Sequence, residues 1–250
     1  MDYHIKAQEW EPILSFLQHY PGIHTRNDKD LRCFIEGVWY VLRTGCQWRL
    51  LPSHYGHWRA LHKRFKHWSD QSLWQKLFSS VQNNPDLEHV MIDATIVRAH
   101  ACSAGLEKNT GAQEALGRSK GGFTTKIHAL VDGLGNPLKF LLTPGQRHDI
   151  TQSYEIVEDI FDSTVIADKG YDASALITQL EEQGCKTVIP SRKNRKEPRR
   201  YDPNLYKERH LVECFFGKMK HYRRVFSRFD KSASVFLSFL CLVGTLIWLR

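Results

Sequence analysis

Residues 89–101 read HVMIDATIVRAHA. β-branched and apolar residues dominate the stretch, which is the composition of a buried strand. Asp93 stands in its middle. A carboxylate inside an apolar strand costs several kcal/mol unless a metal or hydrogen bonds compensate it, so this strand marks both the start of a sheet and a candidate site.

Reading downstream, a polar, glycine-containing loop is expected over 102–122. TTKIHALVD (124–132) and LKFLLTP (138–144) flank GLGNP and form a hairpin. Asp149 is positioned to cap a helix running to about Phe161. TVIA (164–167) is a short buried strand ending at Asp168. DASALITQLEEQG (172–184) is a helix with Asp172 as N-cap and Gly184 as stop, and KTVIPS (186–191) is the last strand. NRKEPRR (194–200) is a basic loop, and two helices, 203–228 and 233–249, close the chain. Three meandering strands followed by alternating helices and strands give an α/β fold with a mixed sheet and helices on both faces, the ribonuclease H-like pattern. In that topology the first and fourth strands are neighbours, which brings Asp93 towards Asp168 at a strand end, where open α/β sheets place their chemistry.

Upstream the character is helical. LRCFIEGVWYVLRTG (31–45) has apolar residues at helical spacing and ends on Gly45. HWRALHKRFKHW (57–68) gathers Arg59, His62, Lys63, Lys66 and His67 mostly on one side. A basic second helix after a short turn suits a helix-turn-helix module, and a small bundle with a solvated basic face fits equally well. NNPD (83–86) is the expected boundary, dividing the chain into a helical DNA-binding segment, 1–85, and a catalytic domain, 86–250.

The chain has 250 residues and a net charge of +8. The basic excess is local: residues 186–231 hold 15 Lys/Arg against 5 Asp/Glu, whereas 89–185 hold 8 against 13. Such a stretch suits a surface that meets phosphates. The six cysteines show no paired ligand spacing, which argues against a zinc site or disulfide framework and for reduced thiols in a cytoplasm. MDYHIKAQEW does not read as a signal peptide. The uncharged tail 233–249 has 17 residues, short of the roughly 20 of a membrane span, and is expected to be a core helix.

Within the basic stretch, YKERHLVECFFGKMK (206–220) keeps an acid, Glu213, among bases. At about 100° per residue, Tyr206, Arg209, Glu213 and Lys220 share one helical edge, beside an apolar face of Leu211, Val212, Phe215, Phe216 and Met219. An amphipathic helix with an incidental Glu has the same spacing. Convergence with Asp93 and Asp168 changes the reading, because three mutually repelling carboxylates are a natural site for divalent cations. Oxygen ligands favour Mg²⁺, or Mn²⁺ in its place, and two such ions suit phosphodiester displacement. Asp172, His148 and Asp149 are better explained as helix-capping residues than as ligands. Tyr222 lacks the companions a covalent nucleophile needs, and His100 and Cys102 lack further metal ligands.

The spacing Tyr206, Arg209, Glu213, Lys220 resembles the Tyr-Arg-Glu-Lys signature of DDE insertion-sequence transposases. IDAT (92–95), GRSKGGFTTKIHALVDGLGNP (117–137), ADKGYDA (167–173) and RHLVECFFGKMKHYRR (209–224) are similar to the insertion-sequence-five group, as is LRTGCQWRLLP (42–52). The resemblance covers residues 10–245. It implies a catalytic, metal-holding triad of Asp93, Asp168 and Glu213, and DNA contacts by Tyr206, Arg209 and Lys220. It also implies Mg²⁺-dependent nicking at transposon ends, strand transfer to target DNA, a homodimer or higher assembly on DNA, and a bacterial cytoplasmic, nucleoid-associated location without membrane. A metal-dependent nuclease of the same fold and a non-catalytic DNA-binding relative are the alternatives.

Overall fold

The computed structural model describes residues 5–23, 27–103 and 114–250. The chain divides into two units: Met1–Asn83 with His100–Gly105 and Met219–Arg250, and Asn84–Ala99 with Leu106–Lys218.

The first unit is helical: α1 (Ala7–His19), α2 (Asp28–Thr44), α3 (Trp58–Asp70) and α4 (Leu73–Ser80). Asn27 caps α2 by accepting from the Asp30 amide at 3.3 Å. Gly45 ends the helix in the left-handed region at φ 68°, and a Cβ there would stand 2.9 Å from Cβ of Arg223. Residues 45–57 carry two short 3-10 turns instead of the expected tight turn between α2 and α3. Gly45, Pro52 and Gly56 break the helical run at three points, so the two helices lack the short connection of a helix-turn-helix motif. On α3, Leu61, Phe65 and Trp68 face inward while Arg59, Lys63, Arg64, Lys66 and His67 are exposed.

Sequence order groups residues 219–250 with the sheet; the structure groups them with the N-terminal helices. The reason is aromatic packing. In the last helix, which runs Ala233–Trp248, the Phe239 ring lies 4.5 Å from Phe65 and 6.4 Å from Trp48, and Gly244 leaves room for Phe78. Arg224 is buried in the same unit, donating to both oxygens of Asp230 at 3.0 and 2.7 Å. This tail is a core helix, and among the described residues no helix is long and apolar enough to cross a membrane.

The second unit is built on a mixed sheet. Its strands are β1 (His89–Ala99), β2 (Gly117–Ser119), β3 (Gly122–Val131), β4 (Pro137–Pro144), β5 (Thr164–Ala167) and β6 (Lys186–Val188). The main order is β4-β3-β1-β5-β6, with the short β2 beside the start of β3. β1 and β3 are antiparallel, β1 and β5 parallel, and β5 and β6 parallel. This is the ribonuclease H-like arrangement expected from element order. β3 lies between two partners, which is why eight consecutive residues from Thr124 are buried. Part of the loop expected over 102–122 lies outside the described residues, and β2 falls in its remainder.

Helices cover both faces. α5 (Ile150–Ile156) and α6 (Ser174–Glu182) bury Ile156, Leu176, Ile177 and Leu180 with Val90, Ile92, Val165 and Ala167. Side chains alternate along a strand, so Asp93 belongs to the opposite face. There α8 (His210–Lys220) stacks Phe215 on Phe140 at 5.8 Å. The expected helix 203–228 is broken into α7 (Pro203–Tyr206), a 3-10 turn Lys207–Arg209, α8 and α9 (Arg223–Phe226). Asp202 caps the first piece through the Asn204 and Leu205 amides, with Pro203 at its first position.

Truncating Phe239 removes a ring that the helical unit packs on from two sides. Phe239→Ala is expected to destabilise that unit by about 3–5 kcal/mol, measured by chemical denaturation followed through tryptophan fluorescence.

Candidate active site

The site begins with strand register. Ile92 pairs with Ala167 across β1 and β5, so Asp93 and Asp168 occupy the next position on neighbouring strands. One Asp93 oxygen accepts from the Ala94 amide at 2.8 Å. Burial raises the Asp93 pKa; the Ala94 amide and the Arg209 guanidinium oppose the rise, and the charges of Asp168 and Asp149 add to it. Asp168 is held differently, accepting from the Gly170 amide at 2.7 Å in a 3-10 turn, Lys169–Tyr171. A Cβ on Gly170 would meet that same oxygen at 2.7 Å, so glycine permits the close approach.

Arg209 completes the cluster. It donates through Nη1 to Asp93 at 2.9 Å and through Nη2 to Glu213 one helical turn on. Burial works against its charge, but Asp93, Glu213, Tyr206 and Asp168 outweigh it and raise its pKa. The guanidinium also lies 5.9 Å from the centre of the Tyr206 ring. Among the described residues, three carboxylates therefore gather around one guanidinium, an excess of two negative charges. The donors are all oxygen, the ligand type that a hard divalent cation takes. Among the described residues no three acidic, His or Cys side chains converge tightly enough as placed to hold a metal directly, because Glu213 reaches the aspartates through Arg209. Lys220 ends α8, half-buried.

Other residues singled out in the sequence find different roles. Asp149 precedes α5 without a side-chain cap and instead pairs with Lys126 at 2.8 Å. It is close enough to Asp93 to raise that residue's pKa. Asp172 is no helix cap either; Ala173 occupies that position, and the Asp172 carboxylate binds Arg192, Arg195 and Arg199 in and just before the basic loop. Arg209, expected to contact phosphate, is a carboxylate partner here. The i, i+4 spacing of Arg209 and Glu213 is the signal for it. His148 lines a groove with Asp149 and Asp168.

The family model described as "Transposase DDE domain" matches residues 84–247. The chain belongs to the DDE transposase family. A second family model, "Putative transposase of IS4/5 family", matches residues 5–78. The transposase is 40% identical over 129 residues to a Brucella ovis protein described as "Putative transposase for insertion sequence element IS6501", covering 51% of this chain and 99% of that protein. It is 29% identical over 135 residues to a Burkholderia cepacia protein described as "Putative transposase for insertion sequence element IS402", covering 49% of this chain and 62% of the other. Among solved structures, a piggyBac transposase synaptic complex matches 82% of this chain and 50% of its own at a TM-score of 0.42 and 14% identity. The Mos1 mariner catalytic domain matches at 0.30 and 11%, covering 74% of this chain and 89% of its own. Family membership makes this transposase an enzyme of DNA strand cleavage and transfer, and implies dependence on a divalent metal.

The face opposite Asp93 carries a titration that tests the packing. His128, bonded to Thr143 Oγ1 at 2.9 Å, has its pKa pushed down to about 4, first by burial and then by Lys126, against the pull of Asp149. The unfolded histidine titrates near 6.5, so between these values the unfolded chain holds a proton that the folded chain refuses. Stability is therefore lost as pH falls from 6.5 towards 4, by about 2–3 kcal/mol. Urea denaturation at pH 7 and pH 4.5 should show His128→Gln losing less stability than wild type by that amount.

Proposed function

We propose that the transposase nicks the ends of an insertion sequence and joins the freed 3′-OH to target DNA, with Asp93, Asp168 and Glu213 as metal-holding catalytic residues. The bridged cluster of Asp93, Arg209 and Glu213 beside Asp168 supports this reading, since no packing requirement explains three acids and one arginine on one face of the sheet. Those three carboxylates would hold Mg²⁺, or Mn²⁺ in its place, as two ions. When bound, such ions lower the pKa of an attacking oxygen and stabilise a leaving one.

The chain's own residues do the rest. Asp93 and Asp168 are fixed by main-chain hydrogen bonds, so their oxygens need no reordering when substrate arrives. Arg209 neutralises the acids in the absence of DNA and is within reach of a phosphate that enters beside them. Tyr206 presents an aromatic face next to that guanidinium, suited to an unstacked base at the cut end. Lys220, further along the same helix edge, adds a phosphate partner. The helical unit reads the element ends through the exposed basic residues of α3, Arg59, Lys63, Arg64 and His67. The working form is a homodimer or larger assembly on DNA, in the bacterial cytoplasm and associated with the nucleoid.

The test uses the full chain, labelled duplexes carrying the flanking element ends, and Mg²⁺ or Ca²⁺. Wild type should nick and join with Mg²⁺. Asp93→Asn, Asp168→Asn and Glu213→Gln should each lower cleavage by at least ~10³-fold while end binding, measured in Ca²⁺, changes little. Cleavage near the wild-type rate in any of the three removes that residue from the catalytic set, and nicking without joined product would make the protein a nuclease.

A further inference from the structure

The sheet unit holds a second charged cluster that the catalytic reading leaves without a role. Asp172 follows the Asp168 turn, and its side chain is 2% exposed. It accepts from the Arg192 amide at 2.9 Å, from Arg195 Nη1, and from Arg199 Nη1 at 3.0 Å. Ser174 Oγ receives the other nitrogen of Arg195 at 2.9 Å. Arg192 adds its own side chain, donating to the carbonyls of Lys169 and Gly170 at 3.2 and 2.7 Å. The loop 192–200 is thus tied at both ends to the turn that carries Asp168.

What the tie presents is charge. The nine residues 192–200 hold six Lys/Arg and one acid, Glu197. Arg195 and Arg199 are spent on Asp172, while Arg192, Lys193, Lys196 and Arg200 stay exposed. Beside them lies a groove of about 680 Å³, lined by His148 and Asp149 on one side and by Asp168, Lys169, Arg192 and Lys193 on another. A loop this basic would repel itself away from a fixed position without an internal counter-charge. The buried carboxylate supplies that counter-charge at the root of the loop and leaves the outward cations facing solvent.

We infer that loop 192–200 is a phosphate clamp for the DNA strand that runs past Asp168, and that Asp172 is the positioning residue that sets it. The occupant is the phosphodiester backbone, because the groove offers cations of Lys and Arg and no stacked aromatic floor among the described residues. The inference rests on the proposed function in that the strand held is the one being cut.

The experiment measures binding of the full chain to a fluorescein-labelled duplex of mixed sequence, about three helical turns long, by anisotropy, in EDTA, over a range of salt. Wild type should bind with a steep salt dependence. Lys169→Ala/Lys193→Ala should reduce the slope of log K against log salt by about two, one unit for each phosphate that is no longer neutralised. Asp172→Asn should weaken binding at least fivefold and speed tryptic cleavage within 192–200, with the rest of the digestion pattern unchanged. If wild type binds with a steep slope and the double lysine variant keeps it, the clamp is wrong while the catalytic reading stands. If Asp172→Asn leaves affinity and tryptic pattern as in wild type, Asp172 does not position the loop. If wild type shows no affinity for duplex DNA, the clamp and the proposed function fall together.

Discussion

The sheet unit depends on one pairing, the parallel ladder between β1 and β5. A parallel pair cannot be closed by a hairpin, so the chain must leave, cross and return, and the residues between form β3, β4 and α5. The register of that ladder is fixed by burial on both faces, since a slip of one residue would turn Ile92 outward and Asp93 into the apolar cluster. The same register that protects the core sets Asp93 in β1 beside Asp168, which directly follows β5. Stability and chemistry share one constraint.

Around it the charges are arranged in layers of compensation. Asp149 is matched by Lys126 and Asp172 by Arg195 and Arg199, each pair partly or wholly withdrawn from water. Among the described residues, Asp93 and Glu213 share the Arg209 guanidinium, and Asp168 lies beside Asp93 in the strand register. Removing one member of a buried pair leaves an uncompensated charge, so these neighbours limit where the negative potential collects. Beside Asp168, three carboxylates against one guanidinium leave an excess of two negative charges.

Much of this is legible in the sequence. β-branched composition marks β1, element order implies the mixed sheet, and the spacing through Tyr206, Arg209, Glu213 and Lys220 points to the site helix. What fails to show is tertiary pairing. Asp149 and Asp172 each precede a helix, where local rules favour a cap, and long-range arginine and lysine partners 23 or more residues away override those rules. The tail looks like the end of the sheet domain because it follows it in sequence. Its partners, Phe65 and Trp48, lie far earlier in the chain, and no local pattern names them. The helix over 203–228 reads as continuous because periodicity is blind to a tightened turn at Lys207–Arg209.

The central claim is that Asp93 within β1, Asp168 just past β5 and Glu213 form a divalent-cation site. Electron paramagnetic resonance of Mn²⁺ titrated into the full chain measures this without DNA or turnover. Saturable loss of the free Mn²⁺ signal in wild type, weakened at least tenfold in Asp93→Asn, Asp168→Asn and Glu213→Gln, is the result predicted. Equal Mn²⁺ uptake by wild type and all three variants would contradict it.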